Sequence, residues 1–274
     1  MDIKLIAFDL DGTLLRPDKS IAPRTMRALR AAQEKGVLLV PATGRLFRSL
    51  PEELKDVSLA RYLILTNGAQ VYDNVLQKTL AREDMTQEQA LRILVHLSTC
   101  NVIRGVYVDG LGSMGQDDFA QIDEVVSIPA TVRVMRNTYR AVDNVEDYVK
   151  SVPSVQKIIG FFRNVSDKQP AIAEMTQLFP DYAISTSLFS NVEINAKSAT
   201  KGNALRSLCQ TLGLSTAQCM AFGDDTNDCS MLQEAGLGVA MGNAADAAKA
   251  CADTVTGTNE EDGVAQMIER VLGL

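Results

Sequence analysis

Two aspartates, Asp9 and Asp11, stand one residue apart in "FDLDGT", where the apolar run "IKLIAF" stops. Side chains at i and i+2 of a strand project to the same side, about 6–7 Å apart. Carboxylates so placed can divide a reaction between them. One can bind a metal and attack phosphorus, and the other can reach the leaving oxygen as a proton donor. Gly12 permits a tight turn, and the backbone N–H groups after Asp9 can point at phosphate oxygens. A second acidic group, Asp224, Asp225 and Asp228 in "GDDTND", follows the apolar run "CMAF". Two carboxylates ~4 Å apart repel by about 4 kcal/mol at a near-surface effective dielectric. Asp9, Asp11, Asp224 and Asp228 together therefore call for a cation. These donors are hard oxygens, which selects Mg²⁺ over zinc or copper. Mg²⁺ usually keeps waters or phosphate oxygens among its ligands, so the set suits a site that handles phosphate.

Other apolar runs end in the same way. "VLLVPATG" delivers Thr43, Gly44 and Arg45, and "RYLILTNG" delivers Asn67 and Gly68. In an open parallel sheet, ligands bind beyond the carboxyl ends of the strands, so these groups are expected to converge on one rim. The elements behind them alternate strand and helix. "PRTMRALRAAQEKG" reads as a helix, with Pro23 suited to its first turn and Gly36 to its stop. "KGNALRSLCQTLG" carries Leu205, Leu208, Cys209 and Leu212 at helical spacing and ends at Gly213. "GVAM" and "DTVT" are further short strands, and "VAQMIERVL" is a closing helix. Short apolar runs separated by helices indicate a parallel sheet with helices on its faces.

The texture changes near Asp84. Thr86 and Gln89 form a capping box for a helix through Leu91, Leu94 and Leu97. "VIRGVYV", "ATVRVM", "VQKIIGFF" and "YAISTSLFSNVEI" read as strands, and "QPAIAEMTQLF" as a helix. The expected architecture is α/β: a Rossmann-like parallel-sheet core from residues 1–83 and 191–274, and an inserted α+β cap domain from residues 84–190. Hinges are expected near Arg82–Asp84 and Ser190–Val192.

The bulk numbers bound the function. A chain of 274 residues is one large domain or two ordinary ones, and 46% hydrophobic residues fill a core. A net charge of -7 disfavours nucleic acid and anionic membranes as partners. No apolar stretch approaches the ~20 residues of a membrane span. The N-terminus enters a strand-like run without a signal peptide, and the five cysteines include no C-x-x-C pair. Reduced thiols in a cytoplasmic protein, a monomer or small homo-oligomer, are expected. A single histidine, His96, excludes a multi-histidine metal site and argues against a Ser-His-Asp triad.

"DLDGT", "ATGR", the lysine in "ATKGNAL" and "GDDTND" together resemble the four ordered motifs of the haloacid dehalogenase superfamily. The long insert between the second and third motifs, with "GVAMGNA" and "NEEDGVA" in the tail, resembles its Cof-type sugar-phosphatase branch. The resemblance implies that Asp9 is the nucleophile and forms an aspartyl-phosphate. It implies that Asp11 is general acid and then general base, with its main-chain carbonyl on Mg²⁺. Thr43 and the Gly44 N–H would hold phosphoryl oxygens, Lys201 would neutralise charge on the phosphoryl group and Asp9, and Asn227 would contact phosphate. The implied metal ligands are Asp9, Asp11 and Asp224, with Asp228 orienting Lys201 or a metal-bound water. The implied function is a Mg²⁺-dependent phosphatase for small phosphorylated metabolites, either sugar phosphates or phosphorylated cofactors.

Each residue alone has a plainer reading. A lone D-x-D pair is more often a turn or a solvated edge, but the apolar strand before it and three matching motifs reverse those odds. Thr43 alone would be a helix N-cap, which is compatible with anion binding. Lys201 at a helix start is in an unfavourable place for a cation. Asp225 reads as a helix start. Arg45 and Arg48 divide evenly between substrate contact and an exposed or packing role, and Lys157 between substrate and solvent. His96, Phe161 and Phe162 read as packing residues. Among other functions, a phosphomutase would re-use Asp11 to return phosphate to a sugar, and a dehalogenase has no need of the acids around Asp224. A phosphorylation-responsive binding module also uses acids, a threonine and a lysine on a parallel sheet, but is much shorter and has no large insert.

Overall fold

The computed structural model describes residues 2–274. They form two compact units. The first comprises the chain up to Arg45, Leu50–Arg82 and Thr200–Leu274; the second comprises Leu46–Ser49 and Glu83–Ala199.

The first unit is built on a parallel five-stranded sheet. Its strands are β1 (Leu5–Phe8), β2 (Leu38–Pro41), β12 (Cys219–Gly223), β13 (Leu237–Ala240) and β14 (Thr254–Val255), in the order β14-β13-β12-β1-β2. The central strands β1 and β12 are buried along their whole length, as continuous apolar runs in a covered parallel sheet should be. One flank carries helices Pro23–Glu34 and Gly263–Leu272, which contact each other. Thr25, Ala28, Leu29 and Ala32 form the buried stripe of the first helix, and Val264, Met267 and Ile268 lie on that of the second. Leu29 and Ile268 are fully buried, each contributing about 1.5–3 kcal/mol of transfer free energy. Arg24 and Glu269 clasp the pair at its edge through two hydrogen bonds of 3.1 and 2.6 Å.

The third apolar run differs from expectation. β3 (Tyr62–Leu65) joins an antiparallel three-stranded sheet with β4 (Gln70–Asp73) and β5 (Lys78–Arg82), two strands the sequence patterns did not reveal. Its link to the parallel sheet is one bridge, Ala42 to Ile64. Pro41 ends β2 and has no amide N–H to extend a ladder, so the parallel pairing does not propagate there.

The second unit holds a six-stranded sheet in the order β10-β11-β9-β6-β7-β8. The strands are β6 (Val102–Val108), β7 (Leu111–Gly115), β8 (Tyr139–Val142), β9 (Lys157–Phe162), β10 (Tyr182–Ser185) and β11 (Asn191–Ala196). Every pairing is antiparallel except β7 with β8. Along β9, Ile158 and Phe162 enter a core shared with helices Gln87–Thr99, Val145–Ser151 and Lys168–Leu178. Ile159 and Phe161 enter the opposite core with Ile122 and Met135, as the two-residue period of a strand requires. The capping box of Thr86 and Gln89 is present.

"ATVRVM", expected as a strand, lies in helix Pro129–Thr138. Its valines alternate, but Pro129 opens a helical first turn. Val132 and Met135, three apart, carry the buried contacts, while Val134 is 38% exposed. The sequence division at residue 190 also meets a difference. β11 begins at Asn191 yet pairs with β9 and β10, and its Val192 and Ile194 belong to the second unit's core. Lys157 does not face solvent. It is 1% exposed, 3.0 Å from Glu193, with its ammonium over the Tyr107 ring. Among the described residues, no helix is long and apolar enough to cross a membrane.

Candidate active site

β1, β2 and β12 end side by side, and each hands its chain to a loop carrying polar residues. The ladder runs one residue past β1, with the Asp9 N–H donating to the Phe222 carbonyl at 3.0 Å. The chain then turns, with Leu14 N–H donating to Asp9 O and Leu15 N–H to Leu10 O. Gly12 sits at φ +90°, and a Cβ there would lie 2.2 Å from an Asp224 carboxylate oxygen. Only glycine lets these two loops approach. Across that gap the Thr13 hydroxyl donates to Asp224 Oδ1 at 2.6 Å.

Lys201 opens helix Lys201–Leu212, which Thr200 caps through the Asn203 N–H. Its Nζ lies 2.5 Å from Asp9 Oδ1 and 2.5 Å from Asp228 Oδ1. Lys201 and Asp228 are fully buried, and Asp9 is 6% exposed. The second Asp228 oxygen accepts from the Asp224 and Asp225 N–H groups at 2.9 and 3.1 Å. Asp228 thus orients the lysine and closes the loop after β12. Asp225 caps the short turn that follows.

The charges are unbalanced in a revealing way. Burial pushes the Asp9 carboxyl well above its ordinary pKa; Lys201 offsets part of this, and Asp228, Asp224 and Asp11 add to it. Burial likewise raises Asp224, to about 7, against the Thr13 hydrogen bond. Burial works against the charge of Lys201, but Asp228 and Asp9 outweigh it and hold the ammonium above its ordinary pKa. Carboxyl oxygens of Asp9, Asp224 and Asp228 lie within 4.8 Å of one another. An all-oxygen set with two carboxyls reluctant to ionise fits a hard divalent cation. With both Asp228 oxygens already bonded, Asp9 and Asp224 are the carboxylates that would hold it.

Asp11 takes a different direction. Arg45 Nε donates to its Oδ2 at 2.7 Å and Arg45 Nη2 to its Oδ1 at 2.6 Å, while Lys19 Nζ lies 2.8 Å from Oδ1. Burial would raise this carboxyl, but the Arg45 and Lys19 hydrogen bonds and charges hold it at about 2.

Thr43 is 2% exposed at the end of β2, and its N–H donates to the Ile64 carbonyl at 2.9 Å. Its hydroxyl accepts from the Arg45 N–H at 3.2 Å, folding the Thr43-Gly44-Arg45 turn. Asn227 Nδ2 donates to Asn67 Oδ1 at 3.3 Å. The structure therefore brings Asp9, Lys201, Asp224 and Asp228 into one cluster and binds Asp11 to Arg45. Sequence reasoning did not single out Lys19. "PDKS" reads as a turn, which Asp18 makes by accepting from the Ser20 N–H, but nothing local says that the turn folds back onto Asp11. The tail motifs brace the loop that follows β1. Asn243 Nδ2 donates to Gly12 O at 2.8 Å, Asn259 N–H to Asn243 Oδ1 at 3.0 Å, and Asn259 Nδ2 to Leu15 O at 2.7 Å.

The chain resembles known proteins along nearly its whole length. The family model of haloacid dehalogenase-like hydrolases matches residues 6–268. The chain is 32% identical over 272 residues to 5-amino-6-(5-phospho-D-ribitylamino)uracil phosphatase YcsE of Bacillus subtilis, covering 98% of this chain and 95% of that protein. It is 31% identical over 272 residues to pyridoxal phosphate phosphatase YbhA of Escherichia coli, covering 98% of each. A solved structure of a haloacid dehalogenase-like hydrolase from B. subtilis superposes with a TM-score of 0.83 at 28% identity, over 98% of this chain and 100% of that one.

Proposed function

The chain belongs to the haloacid dehalogenase-like hydrolases, and on that footing we propose that it is a Mg²⁺-dependent phosphatase of small phosphorylated metabolites, working through an aspartyl-phosphate on Asp9. One observation carries the reading: a fully buried lysine ammonium lies 2.5 Å from each of two carboxylates, beside a third that burial keeps reluctant to ionise. One ammonium set against three carboxyls calls for a further cation, and that cation would in turn favour a phosphate.

Lys201 holds Asp9 Oδ1, which leaves Oδ2 to attack phosphorus. The bond from phosphorus to the leaving oxygen breaks, and Asp11 supplies that oxygen with a proton. Water then attacks the aspartyl-phosphate, Asp11 takes its proton, and cleavage of the acyl phosphate returns Asp9 and inorganic phosphate. Thr43, the Gly44 N–H, Lys201 and Asn227 carry the transferring phosphoryl oxygens. Bound between Asp9 and Asp224, Mg²⁺ would neutralise charge that develops on phosphorus.

Sugar phosphates and phosphorylated cofactors are the substrate classes, the latter supported by the pyridoxal phosphate activity named for the E. coli relative. The test is turnover of p-nitrophenyl phosphate with Mg²⁺, followed by kcat/KM over a panel of phosphorylated metabolites. Multiple turnover supports the phosphatase. Stoichiometric labelling without turnover would point to a phosphorylation-responsive module, and phosphate returned to a second sugar hydroxyl would point to a mutase.

A further inference from the structure

The loop Thr66–Gly68 after β3 is strained. Thr66, Asn67 and Gly68 stand in succession at φ +55°, +60° and +100°. A β-branched residue in the left-handed region is an outlier, and such strain persists only where the surroundings impose it. The surroundings are the site itself. The Thr66 N–H donates to Arg45 O at 3.2 Å and the Asn67 N–H to Thr43 O at 3.0 Å. A Cβ on Gly68 would lie 2.3 Å from the Thr200 carbonyl oxygen, so the loop abuts the backbone that launches Lys201. Asn67, 5% exposed, accepts from Asn227. One tripeptide thus touches the turn of Thr43, the start of the Lys201 helix and the loop of Asn227.

We propose that Asn67 is a positioning residue for the transferred phosphoryl group, acting through Asn227. The inference rests on the phosphatase reading above. A carboxamide nitrogen has two N–H donors. Asn67 Oδ1 takes one from Asn227 and so sets the plane of that amide, whose terminal torsion is otherwise broad. The second N–H is thereby aimed at a phosphoryl oxygen. Asparagine suits the position twice over: it tolerates the left-handed conformation better than other non-glycine residues, and it is uncharged beside an anion. Aspartate would keep the shape and set a negative charge against the phosphate.

The test separates backbone from side chain. Asn67→Gly keeps the left-handed backbone and removes the carboxamide. Binding of inorganic phosphate and of Mg²⁺ is measured by calorimetry, alongside kcat and KM for p-nitrophenyl phosphate. Asn67→Gly is expected to weaken phosphate about tenfold, the scale of one hydrogen bond to a charged group, with Mg²⁺ affinity and Tm unchanged. Asn67→Asp is expected to weaken phosphate further. The double variant with Asn227→Ala is expected to be no worse than Asn227→Ala alone, because coupled residues are not additive. Wild-type phosphate affinity in Asn67→Gly, or full additivity in the double variant, overturns the inference. If Asn67→Gly loses its fold, unchanged phosphate affinity in the near-isosteric Asn67→Asp overturns it equally. A wild-type chain that neither binds phosphate nor turns over removes the phosphatase reading, a result distinct from a working wild type that is indifferent to Asn67.

Discussion

Arg45 grips Asp11 with two hydrogen bonds, Nε to Oδ2 at 2.7 Å and Nη2 to Oδ1 at 2.6 Å. This grip, with Lys19, holds the Asp11 carboxyl at about 2 and so opposes the protonated form that the proposed acid role would use. Arg45→Ala removes two of the hydrogen bonds and one of the charges that lower the pKa, and leaves those of Lys19. The Asp11 carboxyl is expected to titrate higher, toward the ordinary carboxylate range. Carbon-detected NMR of labelled aspartate reads this directly, and a value still near 2 would assign the depression to Lys19 alone.

Asp11→Asn should bind substrate and Mg²⁺ normally but slow hydrolysis of alkyl phosphates by about 10²–10⁴-fold, the usual loss for a general acid–base group. The first step with p-nitrophenyl phosphate should suffer less, since that leaving group needs no proton. Burst kinetics separate the two steps; equal slowing of both leaving groups in the burst contradicts the acid role.

Asp9→Asn should remove nearly all turnover with the fold intact, because an amide is a poor nucleophile and a weak metal ligand. Lys201→Ala should instead cost stability. It leaves Asp9 and Asp228 buried without their cation, and breaking such a group typically costs about 3–5 kcal/mol. Urea unfolding without divalent metal measures this, and a change below about 1 kcal/mol would show that protonation of Asp9 relieves the charge on its own.

Mg²⁺ should stabilise the fold more at pH 8 than at pH 5. Asp224 is raised to about 7 in the folded chain from ~3.9 unfolded, so the folded state binds the proton more tightly. The stability from that protonated carboxyl is full below ~4 and is lost as pH climbs toward 7. Above 7 the metal-free site holds an ionised, poorly solvated carboxylate, which the cation relieves. Thermal shifts with EDTA and with Mg²⁺ at the two pH values test the sign. Ca²⁺ should bind yet suppress turnover, because a larger ion accepting 6–8 oxygens can take both Asp9 oxygens. Robust turnover in calcium alone would falsify that account.

The second unit should govern substrate choice. Asp9, Asp11, Thr43, Lys201, Asp224 and Asn227 all belong to the first unit, so the groups assigned to the chemistry come from one body and the insert is free to vary. Exchanging residues 83–199 for those of a related phosphatase should reorder kcat/KM among natural phosphates by orders of magnitude while changing p-nitrophenyl phosphate hydrolysis far less. Well-folded chimeras that keep the parent's ranking would move the search to Arg45, Arg48 and Asn67.

What the sequence determined by itself follows from local rules. Continuous apolar runs made β1, β2 and β12 recognisable as buried parallel strands. Helical spacing did the same for Pro23–Glu34 and Lys201–Leu212, and Thr86 with Gln89 marked a helix start. Polar residues at strand ends then located the candidate site, since a parallel sheet presents those ends on one rim. Tertiary structure decided the partners. Lys201 meets Asp9 across 192 positions, and no local pattern encodes that distance. Lys19 reaches Asp11, and Asn67 reaches Asn227, only because separate turns fold onto one rim. The same limit explains the misread elements. Alternating valines in "ATVRVM" satisfy a strand and a helix equally until Val132 and Met135 find a common neighbour. β3 could be read as a strand, but its antiparallel partners depended on Pro41 ending the ladder beside it. Local propensity sets what a segment can be, and burial against a distant segment selects which of those states it takes.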